Sequence, residues 1–161
     1  MDWEIKLHLL FCFAEDLTTL HNAGYVHRNL TPHNVLVFNN GSCAIGSFSK
    51  CRRALPLPLP QTEELFGYLP YAAPEFLRHK PYTKASDIYA FGMTMYTIAT
   101  GLIPFETYDR QREILAISIC QGDRPTIPYR LPGSYQKLME KCWNNEENLR
   151  PKFHGVMTLK V

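Results

Sequence analysis

The stretch His27-Arg28-Asn29-Leu30-Thr31-Pro32-His33-Asn34 decides how this chain reads. It crowds polar and charged groups between a helix-like run ending near Asn22 and the apolar run Val35-Leu36-Val37. Polar groups set between two buried elements need partners or a task, because a buried donor or acceptor without a partner is costly. The stretch is therefore the first candidate for a functional loop, and its surroundings should be organised to hold it.

Composition narrows the function classes. A chain of 161 residues fits one domain, taken as residues 1–161, with a real hydrophobic core. Hydrophobic residues at 45% and charged residues at 20% describe a globular mixture, not a disordered one. A formal net charge of +2 is too small to argue for nucleic acid or an acidic membrane as partner. The adjacent Arg52 and Arg53 read as a solvated pair. Five cysteines (Cys12, Cys43, Cys51, Cys120, Cys142) show no CxxC and no regular spacing, and the six histidines show no HExxH, so neither a disulfide framework nor a metal site is expected. Reduced cysteines imply a cytoplasmic protein. Acidic Asp2 and Glu4 stand where a secretory signal would be basic. Ile88 to Phe105 is uncharged over 18 residues, the short limit for a membrane span. Its three threonines, two glycines and Pro104 make a buried core helix the better expectation.

Working outward from the loop, residues from about Asp2 to Asn22 carry Leu10, Phe13, Ala14, Leu17 and Leu20 at helical spacing, with Gly24 as a left-handed stop. Val35–Val37 and Ala44-Ile45 are short β-like runs around Asn39-Asn40-Gly41-Ser42, a hairpin signal. Ser47 to Glu75 shows no period and reads as loop; within it Leu55 to Pro60 alternates Leu and Pro and favours an extended conformation. Thr83 is a good N-cap for a helix to about Thr100 that is apolar on nearly every face, with Asp87 near its start. A helix is expected from Arg110 to Cys120, with Ile114, Leu115 and Ile117 inward and Gly122 ending it. Another is expected from Ser134 to Trp143, with Tyr135, Leu138, Met139 and Cys142 on one stripe. Pro151 is placed to open a last short helix. The fold class expected is mainly α with a small β-hairpin.

Several short motifs then fall in one order. His27-Arg28-Asn29 with Asn34 resembles the protein-kinase catalytic loop, H-R-D-L-x-x-x-N. Ser47-Phe48-Ser49, beginning thirteen positions after Asn34, sits where D-F-G belongs. Ala73-Pro74-Glu75 matches A-P-E. Ser86-Asp87-Ile88-Tyr89-Ala90-Phe91-Gly92 resembles the family's central helix, and Cys142-Trp143 with Leu149-Arg150-Pro151 its closing segment. One triplet alone is weak; five in register, from Leu9 to about Phe153, are specific. The chain resembles the C-terminal lobe of a protein kinase, most like the tyrosine-kinase-like group. It contains no GxGxxG loop, no V-A-I-K lysine and no helix carrying that lysine's glutamate partner, so the N-terminal lobe that covers the ATP phosphates is absent from this reading.

The resemblance assigns roles position by position. Asp87 would accept backbone N–H groups of the loop near His27 and Arg28. Glu75 and Arg150 would form the ion pair that pins the activation segment to the helical lobe. Arg28 meets a phosphorylated residue in many active kinases; hydrogen bonding to carbonyls is the simpler expectation here. His27 is expected to pack as a structural histidine and Phe48 to belong to the core. Tyr68 and Tyr71 are phosphorylatable in principle and are expected to pack under the segment.

The departures fall on the chemistry. Asn29 occupies the general-base position, and a neutral amide has no useful basicity; a positioned base is worth about 10²–10⁴ in rate. Thr31 replaces the usual lysine or arginine. Ser47 replaces the aspartate that holds Mg²⁺, a poor exchange for a hard cation. Ser49 replaces the glycine. Asn34, the second metal ligand, alone survives. The reading that follows is a catalytically inactive pseudokinase lobe acting as a signalling scaffold or binding module, with no metal, ATP or Mg²⁺ and with a protein partner on the face where the N-terminal lobe would dock. Two alternatives stand beside it. One is part of a longer or trans-complemented ATP-dependent kinase; the other is a truncated remnant.

Overall fold

The computed structural model describes residues 2–39, 41–54, 69–106 and 112–152. Helix α1 spans Trp3–Asn22, capped by the Asp2 carboxylate, which accepts from the Trp3 N–H. Its buried stripe is Leu9, Leu10, Phe13, Ala14, Leu17 and His21, so Leu9 and His21 join the period read from the sequence while Leu20 is only half-buried. Gly24 follows at φ +83°.

Two small antiparallel sheets come next. Strand β1 (Tyr25–Val26) pairs with β4 (Arg52–Arg53), and β2 (Val35–Val37) pairs with β3 (Cys43–Ile45). The second pair is the expected hairpin, in register Val35↔Ile45, Leu36↔Ala44, Val37↔Cys43. The first pair corrects the reading of 47–75 as loop. That stretch holds a 3₁₀ turn at Phe48–Lys50, strand β4, a second 3₁₀ turn at Leu69–Tyr71 and the start of α2 (Pro74–Leu77). A two-residue strand has no period of its own; Arg52-Arg53 is a strand only because Tyr25-Val26 lies beside it. The Leu-Pro alternation at Leu55 to Pro60, and Tyr68, lie outside the described residues.

Helix α3 (Lys84–Thr100) is the axis of the molecule. All eleven residues from Ser86 to Tyr96 are buried, as a helix apolar on every face requires. It ends at Gly101, whose φ of +76° is the left-handed stop. Helix α1 packs on it through Phe13 and Phe91, ring centroids 5.3 Å apart. Helix α5 (Gly133–Cys142) packs on it through Tyr135, whose hydroxyl donates to the Met95 carbonyl at 2.7 Å. The close approach of α5 depends on Gly92: a Cβ there would lie 2.9 Å from Cys142 Cβ and 3.0 Å from Trp143 N.

Helix α4 (Arg112–Gln121) buries Leu115 and Ile119, while Ile114 and Ile117 are exposed. The inward assignment of those two isoleucines was wrong by part of a turn. The helix meets α2 on one narrow stripe at i, i+4, so the flanking isoleucines face away from it. Its expected start at Arg110 lies outside the described residues. Pro151 and Lys152 are not helical, and the residues after them are likewise not described.

Among the described residues no helix is long and apolar enough to cross a membrane. The architecture is mainly helical with two small antiparallel sheets, and the His27–Asn34 loop lies between β1 and β2 at the N-terminal end of α3.

Candidate functional site

The loop is built on Asp87. This carboxylate, fully buried in the first turn of α3, accepts four hydrogen bonds. Oδ2 takes the His27 N–H at 2.8 Å and faces His21 Nε2 at 2.8 Å. Oδ1 takes the Arg28 N–H at 3.0 Å and the Tyr82 hydroxyl at 2.8 Å. A buried carboxylate is tolerated where every lone pair is answered and positive dipole lies close, and the helix N-terminus adds the latter. Burial and the adjacent Asp87 charge raise the Tyr82 phenol well above its ordinary pKa, so it stays a donor. The two amides held by Asp87 bring Arg28 to φ +69°, a left-handed conformation for a non-glycine residue. The Arg28 guanidinium lies 5.8 Å from the centre of the Tyr82 ring.

His27 is fully buried beneath the loop. Its Nδ1 accepts from the Asn29 N–H at 3.3 Å, so Nε2 carries the proton and donates to the Gly46 carbonyl at 3.0 Å. Burial lowers its pKa below 6.5, against the pull of Asp87. With both ring nitrogens engaged, His27 is a neutral strut and not a proton acceptor for substrate.

Three of the singled-out residues meet across the loop. Asn29 Nδ2 donates to Ser47 Oγ at 3.2 Å, and Asn34 Nδ2 donates to the Asn29 carbonyl at 2.6 Å. Asn34 also anchors the second strand pair, its own carbonyl accepting the Gly46 N–H at 2.7 Å. Ser47 is itself left-handed, at φ +65°. Thr31 is buried, so its side chain does not project into solvent beside Asn29. Ser49 is exposed, and its carbonyl accepts from Arg52.

Phe48 departs from the expectation of a core residue: it is 52% exposed, with one edge against the His27 ring at 5.2 Å between centroids. It opens a single 3₁₀ turn, and a turn that short buries only the side turned to its neighbour.

Glu75 and Arg150 lie apart from the loop and do meet. Arg150 grips both carboxylate oxygens at 2.7 Å, and the Ser86 hydroxyl donates to Oε1 at 2.6 Å. Ser86 in turn accepts the Thr83 N–H, so the pair is tied to the start of α3. Burial pushes the Glu75 carboxyl up, but Arg150 and Ser86 outweigh it and hold it below its ordinary range. Remaining guanidinium protons go to the carbonyls of Ala85, Asn144 and Asn145. Tyr71 is buried, its hydroxyl 2.9 Å from Thr97 Oγ1.

Sequence reasoning missed three contributors: His21 and Tyr82 on Asp87, and Asp16, whose Oδ2 accepts the Ile45 N–H at 2.8 Å and ties α1 to β3. His21 lies four residues after Leu17 on the buried stripe of α1, and that placement is the signal that would have found it. Outside the loop, His8, Cys12 and Cys43 come together where their linear spacing indicated no metal site.

Comparison with known proteins agrees with this geometry. Residues 1–159 match the family described as "Protein tyrosine and serine/threonine kinase". The protein described as "Probable LIM domain-containing serine/threonine-protein kinase" from Dictyostelium discoideum is 32% identical over 156 residues, which is 96% of this chain and 16% of that protein. Ephrin type-A receptor 6 of Rattus norvegicus is 32% identical over 148 residues, 90% of this chain and 14% of the receptor. The serine/threonine/tyrosine-protein kinase HT1 of Arabidopsis thaliana is 25% identical over 156 residues, 97% and 39%. The chain thus spans between 14% and 39% of the length of these relatives. A family match across nearly every residue, on a helical body that suspends a loop from a buried aspartate, makes this chain a member of the protein tyrosine and serine/threonine kinase family.

Proposed function

We propose that these 161 residues form the C-terminal lobe of a kinase-like domain that no longer transfers phosphate and works in the cytoplasm as a signalling scaffold or binding module. The observation that carries this reading is the hydrogen bond from Asn29 Nδ2 to Ser47 Oγ. The two positions where carboxylates would address a substrate hydroxyl and a metal hold neutral groups, and this hydrogen bond joins them to each other. Asn34 Nδ2 donates to the Asn29 carbonyl, so what this side chain has left to offer a metal is a neutral amide oxygen. The residues present do not fit a magnesium–nucleotide complex. Mg²⁺ is bound by hard, preferably anionic oxygen, and the side-chain donors around this loop are the amide oxygens of Asn29 and Asn34 and the Ser47 hydroxyl, all of them neutral. Asp87, the carboxylate nearest the loop backbone, has its oxygens filled by four donors.

The partner surface proposed is the β2–β3 hairpin and the turn after it. Leu36 and Val37, consecutive in β2, are both about half exposed or more, where a strand ought to alternate, and Phe38 after the strand and Phe48 in the following turn are about half exposed as well. A protein partner would cover it.

The test is a thermal shift of the whole chain with millimolar Mg²⁺-ATP, since any ligand of the folded state must raise its melting point. No shift is expected, and none from the Asn29→Asp, Ser47→Asp double variant without further residues to cover the nucleotide. A magnesium-dependent shift accompanied by phosphate transfer would overturn the proposal.

A second reading rests on length. Because the chain spans so small a share of its relatives, it can be part of a longer or trans-complemented kinase. A transcript encoding a glycine-rich loop and its lysine upstream of Met1 would favour that reading.

A further inference from the structure

Helix α1 presents His8, Cys12 and Asp16 at successive i, i+4 positions, one stripe along its length. Strand β3 lies along that stripe. Asp16 Oδ2 takes the Ile45 N–H at 2.8 Å, which sets the strand's register against the helix. With that end held, Cys43 at the other end of β3 comes down on the first two members of the stripe. The ligand atoms of His8, Cys12 and Cys43 lie within 4.8 Å of one another, and Cys12 Sγ is 3.7 Å from His8 Nε2. They form the one such group among the described residues.

We infer that His8, Cys12 and Cys43 form a zinc(II) site that clamps the β2–β3 hairpin to α1. Zinc bonded to sulfur at about 2.3 Å and to nitrogen at about 2.0–2.1 Å in a tetrahedron needs ligand atoms roughly 3.4–3.8 Å apart. The His8–Cys12 edge already has that length, and the remaining edges need to close by no more than about 1 Å. Two thiols and an imidazole select a thiophilic cation over magnesium or calcium, which take oxygen. His8 is exposed and both cysteines are half-buried, so the site has an entry path and a partly dry interior. The Gly41 carbonyl, 3.0 Å from His8 Nε2, stands beside the fourth position, which it or a water molecule fills.

Binding is not a redox step. The hydrated zinc ion exchanges water for two sulfurs and one nitrogen. The two S–H bonds break and their protons go to solvent, and the His8 ring proton moves to Nδ1 as Nε2 takes the metal. The consequence is mechanical: β3 runs directly into Gly46 and Ser47, so a metal at Cys43 stiffens the hairpin that carries the exposed apolar run and the turn facing Asn29. The inference stands independently of whether the loop transfers phosphate.

The test uses the whole reduced chain, stripped with a chelator and titrated with zinc(II) alone, with cobalt(II) as a spectroscopic stand-in. One equivalent should bind, raise the melting temperature and, for cobalt, give a thiolate charge-transfer band. His8→Ala, an exposed change that leaves the fold intact by circular dichroism, should weaken binding. Cys12→Ser and Cys43→Ser should each weaken it more than about 100-fold, beyond the 10–100-fold that changes around a metal's ligands cost. Cys120→Ser should bind as the unaltered chain does. Three outcomes would overturn the inference: no stoichiometric binding, an affinity in the Cys12 or Cys43 variant equal to that of the unaltered chain, or a Cys12–Cys43 disulfide that forms and persists in the presence of zinc.

Discussion

Asp87 is the residue on which the loop depends, because its carboxylate accepts from two consecutive loop amides, those of His27 and Arg28. Removing it would orphan the His27 and Arg28 N–H groups and the Tyr82 hydroxyl in a buried place. Asp87→Ala is expected to lower stability by about 3–5 kcal/mol, the cost of leaving strong buried donors unanswered. Urea denaturation would show it as a fall in midpoint; an unchanged midpoint would mean that water replaces the carboxylate. His27 supplies a pH dependence. Its folded pKa is below the ordinary 6.5, so the unfolded chain binds the proton more readily. Its contribution is complete above about pH 6.5 and is lost as pH falls through the folded value. Melting temperature should therefore fall between about pH 7 and pH 5, and His27→Gln should flatten that slope.

At the scale of elements, two joints hold the helices together. The Glu75–Arg150 pair joins α2 to the segment after α5, and because it is buried and bidentate, breaking one side is costly. Arg150→Met is expected to cost about 3–5 kcal/mol. The pair also sets an acid limit: Glu75 sits below its ordinary value of 4.5, so its stabilisation is present above that pH and disappears as pH falls through the lower folded value. The acid arm of the stability curve should be shallower in Glu75→Gln. The second joint is Gly92, where α5 crosses α3. Gly92→Ala puts a methyl against Cys142 and the Trp143 backbone and should cost about 1–3 kcal/mol. Gly133→Ala, at the open start of α5 with nothing within 4 Å, should be neutral or slightly stabilising. Equal effects at the two glycines would refute the close-approach account. The periods of α1 and α5 were legible because their apolar residues recur at spacings of three and four, and α3 because it is apolar on nearly every face. The face of α4 was not, since its contact is one narrow stripe and three isoleucines and one leucine compete for it.

At the scale of the molecule, the exposed hairpin residues predict behaviour in solution. Val37, at the end of β2, is 62% exposed, and Phe38, which follows it, 50%. Val37→Thr with Phe38→Ser should lower binding of a hydrophobic dye while changing stability by less than about 0.5 kcal/mol. Dye binding equal to that of the unaltered chain would place the exposed apolar surface elsewhere.

The sequence by itself determined the periods of α1 and α5, the Thr83 start and Gly101 stop of α3, the hairpin and the order of motifs. It also determined the chemistry available, because which side chains stand at 29 and 47 is a matter of identity alone. Those are properties of contiguous residues or of residue type. Only the tertiary structure decided that His21 and Asp87, 66 positions apart, share a hydrogen bond, that Phe48 turns outward, and that His8 and Cys12 meet Cys43. The physical reason is that caps and periods act within a few residues, whereas these contacts exist only once α1, the hairpin and α3 have docked, and no local pattern encodes the angle at which they do so.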